Sequence, residues 1–82
     1  MAARTLRILW GRRLREARKA AGLSQLQLAE TLGTLQEQIS RWERGIYAPV
    51  DEMRPRLAKA LGVPIAELFA YPDNDANGGQ AA

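Results

Sequence analysis

Neither cysteine nor histidine occurs among the 82 residues of this chain. Without cysteine there can be no disulfide and no thiolate metal site. Without histidine the commonest general base and the commonest metal ligand are missing. Ahead of the C-terminal tail the one adjacent acidic pair is Asp51-Glu52. Alone it makes a poor acid–base or metal site, and it suits the first turn of a helix, whose dipole favours carboxylates. The chain is therefore not expected to be an enzyme or to hold a metal or cofactor, and no small-molecule ligand is evident. Long apolar runs are also missing, since none approaches the roughly 20 residues that cross a bilayer. The N-terminus carries Arg4 and Arg7 but no long apolar segment or small-residue cleavage site. These absences fit a cytoplasmic protein without a membrane partner. No strand pattern and no internal repeat stands out.

What is there is charge, unevenly placed. The net charge is +3. Residues 1–50 hold nine basic and four acidic side chains, a net of +5. The remainder holds three and five, a net of −2. A basic half beside a mildly acidic half suits a polyanion bound on one side. A chain this short forms one small domain with a thin margin of stability.

The most informative stretch is Leu23 to Gly45, LSQLQLAETLGTLQEQISRWERG. Ser24 followed by Gln27 has capping-box spacing, and Leu28, Ala29 and Leu32 then fall on one helical face. Gly33 takes a left-handed backbone cheaply and ends the first helix in a sharp turn. Thr34 and Glu37 repeat the capping-box spacing at the start of a second helix, about Leu35 to Arg44. Leu35, Ile39 and Trp42 form its apolar stripe. Gln36, Glu37, Ser40, Arg41 and Arg44 cover the other side. Amides, a carboxylate, a hydroxyl and guanidinium groups are the side chains that bond base edges and phosphates. Any amphipathic helix has a solvated polar face, so periodicity alone does not separate these readings.

The stretch resembles the helix-turn-helix of the lambda-repressor-like family, the phage repressor and Cro type also called XRE. The residues that carry the resemblance are Leu23-Ser24-Gln25, Leu28-Ala29, Leu32-Gly33 and Ile39 through Gly45. It extends to Leu14 through Arg18 on one side. On the other it runs through Pro49 and Leu57 through Val63 to Glu67-Leu68-Phe69. The resemblance implies an all-α fold, a compact bundle of about five short helices, from a prokaryotic or phage-encoded protein. It implies that the helix at 35–44 enters the major groove of double-stranded DNA. Gln36 is then placed to bond adenine, and Ser40 to bond a base or a phosphate. Arg41 faces guanine or a phosphate. Glu37 either accepts from cytosine N4 or completes the cap with Thr34. Ser24, Gln25, Arg44 and Tyr47 are the expected phosphate contacts. For Gln25 the free N–H groups and dipole of a helix N-terminus favour the same anion; for Tyr47 a solvent-facing loop position is the alternative. The resemblance also pairs Arg18 with Glu43 as a buried ion pair.

One departure bears on register. The family commonly has an apolar residue and then Ser or Thr after the turn glycine, whereas here Thr34 precedes Leu35. Either Thr34 caps the helix, or Leu35 takes the cap position and meets a thymine methyl. Leu26 stands where the family usually has a polar residue.

The rest of the chain reads around this pair. Residues 1–5 are expected to be a flexible arm, residues 6–71 the DNA-binding domain, and residues 72–82 a disordered tail. The first helix is expected from about Leu6 to Ala21, with Trp10, Leu14, Ala17 and Ala21 inward. Leu6, Ile8 and Leu9 either lengthen it or cover a partner subunit. Gly11 weakens that helix by roughly 1 kcal/mol relative to alanine, which points to a packing reason. Arg12, Arg13 and Arg15 lie on varied faces. A fourth helix spans about Glu52 to Leu61, with Pro55 tolerated in its first turn. Met53, Leu57, Ala60 and Leu61 face inward. A fifth opens near Pro64 and carries Ile65, Leu68 and Phe69. By resemblance, the segment 64–70 either forms a homodimer contact or completes the core.

The function implied is a sequence-specific DNA-binding transcriptional regulator, dimeric on a pseudo-palindromic operator. Lacking a separate effector module, it would be a Cro-like repressor, a controller protein or an antitoxin. The alternative is a protein-interaction module of the same fold that does not bind DNA specifically.

Overall fold

The structure, a computed structural model, describes residues 2–71. Five helices follow one another: α1 Ala2–Ala20, α2 Gln25–Leu32, α3 Gln36–Glu43, α4 Met53–Leu61 and α5 Ile65–Phe69. No strand occurs among the described residues. The tail expected to be disordered, 72–82, lies outside them.

Met1 lies outside the described residues; residues 2–5, expected to be part of a loose arm, are helical, because α1 starts at Ala2. Tertiary contacts hold its first turns. Leu6 packs against the core, and Arg7 Nε donates to the carbonyl of Gly45 at 3.2 Å. Farther along, Trp10 and Leu14 are buried and Ala17 is half-buried. Ala21, read as inward, lies beyond the helix end and is exposed.

At Gly11 the backbones of α1 and α3 come close together. A Cβ there would sit 2.5 Å from the Trp42 carbonyl oxygen and 2.6 Å from that of Glu43. The hydrogen in place of a side chain lets α1 lie directly on the backbone at the end of α3. This is the packing reason anticipated from the sequence.

The core joins all five helices. Leu28, Ala29 and Leu32 come from α2, Ile39 and Trp42 from α3, Leu57, Ala58 and Leu61 from α4, Leu68 and Phe69 from α5. α4 starts at Met53 with Pro55 in its first turn, where a missing N–H breaks no helical bond. Arg56 then donates to the Leu32 carbonyl at 2.7 Å, a cation on the negative end of α2. α5 closes over α1. Trp10 Nε1 donates to the Ala70 carbonyl at 3.0 Å, and its ring meets Phe69 and Tyr71 edge-on at 5.3 and 5.5 Å. The Arg54 guanidinium covers the Trp10 ring at 4.6 Å, a cation–π contact.

Substituting Gly11→Ala gains about 1 kcal/mol of helix propensity and meets backbone atoms that cannot swing aside. Overpacking of this kind typically costs about 1–3 kcal/mol, occasionally more. The expected result is a net loss of stability, read as a lower urea midpoint with an unchanged slope.

Candidate nucleic-acid interface

The interface is built from two helix ends and one helix face. At the start of α2, Ser24 Oγ accepts from the Gln27 N–H at 3.0 Å, and Gln27 Oε1 accepts from the Ser24 N–H at 2.8 Å. The capping box read from the sequence is formed. Its reciprocal bonds leave the N–H groups of Gln25 and Leu26 as first-turn donors without a helical partner. At the other end Gly33 adopts φ 72°. The next N–H, that of Thr34, bonds back to Ala29 O at 2.9 Å.

That bond decides how α3 begins. A capping box on Thr34 would need its N–H for the Glu37 carboxylate, but the closing turn of α2 already uses it. Leu35 is the N-cap instead, in extended backbone and without a side-chain cap bond. The capping role open to Glu37 is therefore excluded. Leu35 also leaves the apolar stripe to which periodicity assigned it, and is 74% exposed. Ile39 and Trp42 alone form the buried underside of α3.

The opposite face of α3 carries the expected polar groups. Gln36, Glu37 and Arg44 are exposed, and Ser40 and Arg41 are half-buried. Arg41 Nη2 reaches Glu37 Oε2 at 2.7 Å, one turn back. Arg44 Nε donates to Ser40 Oγ at 3.2 Å. Tyr47 is exposed in the following loop. It borders an open cleft of about 480 Å³ with Thr34, Gln38, Arg41 and Val50. Gln38 was not singled out from the sequence. With Leu35 as N-cap it is the third helical residue, and it lines this cleft.

A buried carboxylate locks these parts together. Glu43 Oε2 accepts from Arg18 Nε at 2.5 Å, and Oε1 accepts from Arg18 Nη2 and from Gln25 Nε2, both at 3.0 Å. The side chains of Arg18 and Glu43 are 9% and 3% exposed. The remaining fork of Arg18 donates to the Leu23 carbonyl at 2.8 Å. The hydrogen bonds it donates to Glu43 hold the Arg18 guanidinium pKa above its ordinary value, against the opposing effect of burial. Gln25 thus faces inward to Glu43 here.

Outside this centre α1 adds charge. Because the helix starts at Ala2, Arg4, Arg12, Arg15 and Lys19 fall within about 80° of one another on one face, and all four are exposed. Arg13 points elsewhere, donating to the Ala70 carbonyl at 3.4 Å.

Two helices joined by a glycine turn, the second presenting an outward polar face, define a helix-turn-helix protein. Comparison with known proteins agrees. A family model described as helix-turn-helix matches residues 14–68. An uncharacterised HTH-type transcriptional regulator of Methanothermobacter thermautotrophicus is 43% identical over 62 residues, 76% of this chain and 90% of that protein. The HTH-type transcriptional regulator PuuR of Escherichia coli is 35% identical over 63 residues, 77% of this chain; the match spans 34% of PuuR. Among solved structures, the restriction-modification controller protein C.AhdI of Aeromonas hydrophila superposes with a TM-score of 0.72 at 38% identity. That match covers 77% of this chain and 96% of C.AhdI. The chain belongs to the lambda-repressor-like, XRE-type helix-turn-helix family. Its class is that of DNA-binding transcriptional regulators. No helix among the described residues is long and apolar enough to cross a membrane.

Replacing Glu43 by alanine strands the Arg18 charge and the Gln25 amide. Loss of one partner of a buried pair typically costs about 3–5 kcal/mol. Arg18→Met combined with Glu43→Leu removes both charges and should cost far less than the two single losses added. Urea unfolding of the singles and the double checks this; additive losses would show that the two residues act independently.

Proposed function

We propose that this chain is a cytoplasmic, sequence-specific regulator that binds a pseudo-palindromic duplex as a homodimer. Each copy lays α3 in the major groove, with half-sites about one helical turn apart. One observation carries the reading: Gln36, Ser40 and Arg41 share a face of α3 whose underside, Ile39 and Trp42, is buried. Gln36 bonds adenine N6/N7. Arg41 leaves Glu37 to bond guanine O6/N7 or a phosphate, which frees Glu37 to accept from cytosine N4. Ser40 serves either a base or a phosphate.

Phosphates dock on the start of α2 and along the edge of α3. Ser24 and Gln25 present the α2 N-terminus, where free N–H groups and the dipole favour an anion. Arg44 and Tyr47 clamp the strand beyond α3. The exposed apolar side chains Ile65 and Tyr71, 44% and 50% exposed, flank the buried face of α5 and suit the 64–70 segment to a two-fold contact. The chemistry is recognition of base edges and phosphates through hydrogen bonds and charge. A Cro-like repressor, a controller of the kind C.AhdI represents, or an antitoxin all use such a domain.

Selection from random duplex DNA tests the proposal, and should yield a two-fold symmetric site. Binding should weaken with salt, with a log–log slope near −5 for about six phosphate contacts. Gln36→Ala and Arg41→Ala should each relax preference at a defined base pair, by about 1–3 kcal/mol for a bidentate contact. Uniform weakening with unchanged base preference would reject direct readout by these side chains. Failure to bind any duplex at any salt would favour a protein-interaction module.

A further inference from the structure

Leu35 is the most exposed of the large apolar side chains among the described residues, at 74%. It sits at the N-cap of α3 with φ −97° and ψ 147°, and its side chain makes no cap bond. Stability does not explain a leucine there. Serine, threonine, aspartate or asparagine would accept from the first-turn N–H groups, and leucine cannot. Its methyl groups stand in water, where they are unfavourably hydrated. Nor is it a hydrophobic staple, which would precede the N-cap and pack on the first turns. It does not extend the apolar face of α5 either. α5 packs on α1 and α4, whereas α3 packs on α1 and α2.

Its surroundings suggest a use. Leu35 leads directly into Gln36 and Glu37, both exposed, at the end of the helix that enters the groove first. Base edges in the major groove are polar, with one exception: the C5-methyl group of thymine. A leucine at the leading end of α3 has that methyl as its natural partner. Contact there distinguishes T·A from A·T and from both orientations of G·C, which neither a phosphate clamp nor a capping residue does.

We propose that Leu35 is a specificity-determining residue that reads a pyrimidine 5-methyl group in each half-site. The assignment rests on the DNA-binding reading above. It carries a corollary: cytosine methylated at C5 presents the same group, so methylation at that step strengthens binding.

The test uses the duplex that the wild-type chain selects. Each thymine is replaced in turn by deoxyuridine, which lacks only the methyl group, and the Kd is measured. At one position per half-site the Kd should rise about fourfold, the worth of one carbon taken out of water. The rise should vanish in Leu35→Ser. That variant gains a capping side chain and should melt at the same or a higher temperature, which separates lost reading from lost folding. With a C·G pair at the same position, 5-methylcytosine should bind more tightly than cytosine in the wild type and equally in Leu35→Ser. Deoxyuridine tolerated at every position, or a penalty that persists in Leu35→Ser, overturns the assignment and leaves DNA binding intact. A wild-type chain that selects no duplex overturns both.

Discussion

The recognition surface depends on a carboxylate almost wholly withdrawn from solvent. Glu43 stands at the junction of three segments and accepts one bond from α2 and two from α1. Its own helix, α3, is thereby fixed in rotation and in height. Gly11 acts at the same place by a different means, since it lets α1 rest on the carbonyls of Trp42 and Glu43. Electrostatics and close packing therefore anchor the C-terminal end of α3, while its N-terminal end projects. Buried polar networks hold a unique geometry only when every member is satisfied. Here every buried side-chain polar atom among the described residues has a partner.

The outward face of α3 carries weaker bonds. Glu37 with Arg41, and Ser40 with Arg44, pair along the surface one turn apart. Exposed pairs at this spacing contribute a few tenths of a kcal/mol, and exposed side chains change rotamer in picoseconds to nanoseconds. The pairing keeps the helix face ordered without obstructing a stronger partner such as guanine or a phosphate.

The helix pair was legible because its signals are local. Ser24 and Gln27 act within one turn, and Gly33 within the next. The apolar spacing of Leu28, Leu32, Ile39 and Trp42 needs only a period. Leu35 fitted that period and yet lies outside the core, because one backbone bond from Thr34 to Ala29 shifts the start of α3. No composition or spacing rule registers which N–H is already occupied. The start of α1 escaped for a related reason. Ala2 to Thr5 hold little to bury, and their order comes from Leu6 and Arg7 meeting residues far along the chain. The alignment of Arg4 with Arg12, Arg15 and Lys19 follows only once that start is known. Base and phosphate roles for individual side chains came from likeness to a family, since a polar helix face alone does not reveal its partner.

The bond from Trp10 to the Ala70 carbonyl spans sixty positions. During synthesis the indole is made well before α5, and its edge stays uncovered until α5 docks. The recognition helix is made long before that closing contact exists. Covering of this indole is the step that ties the first helix to the last of the five described, after the α2–α3 pair is already made.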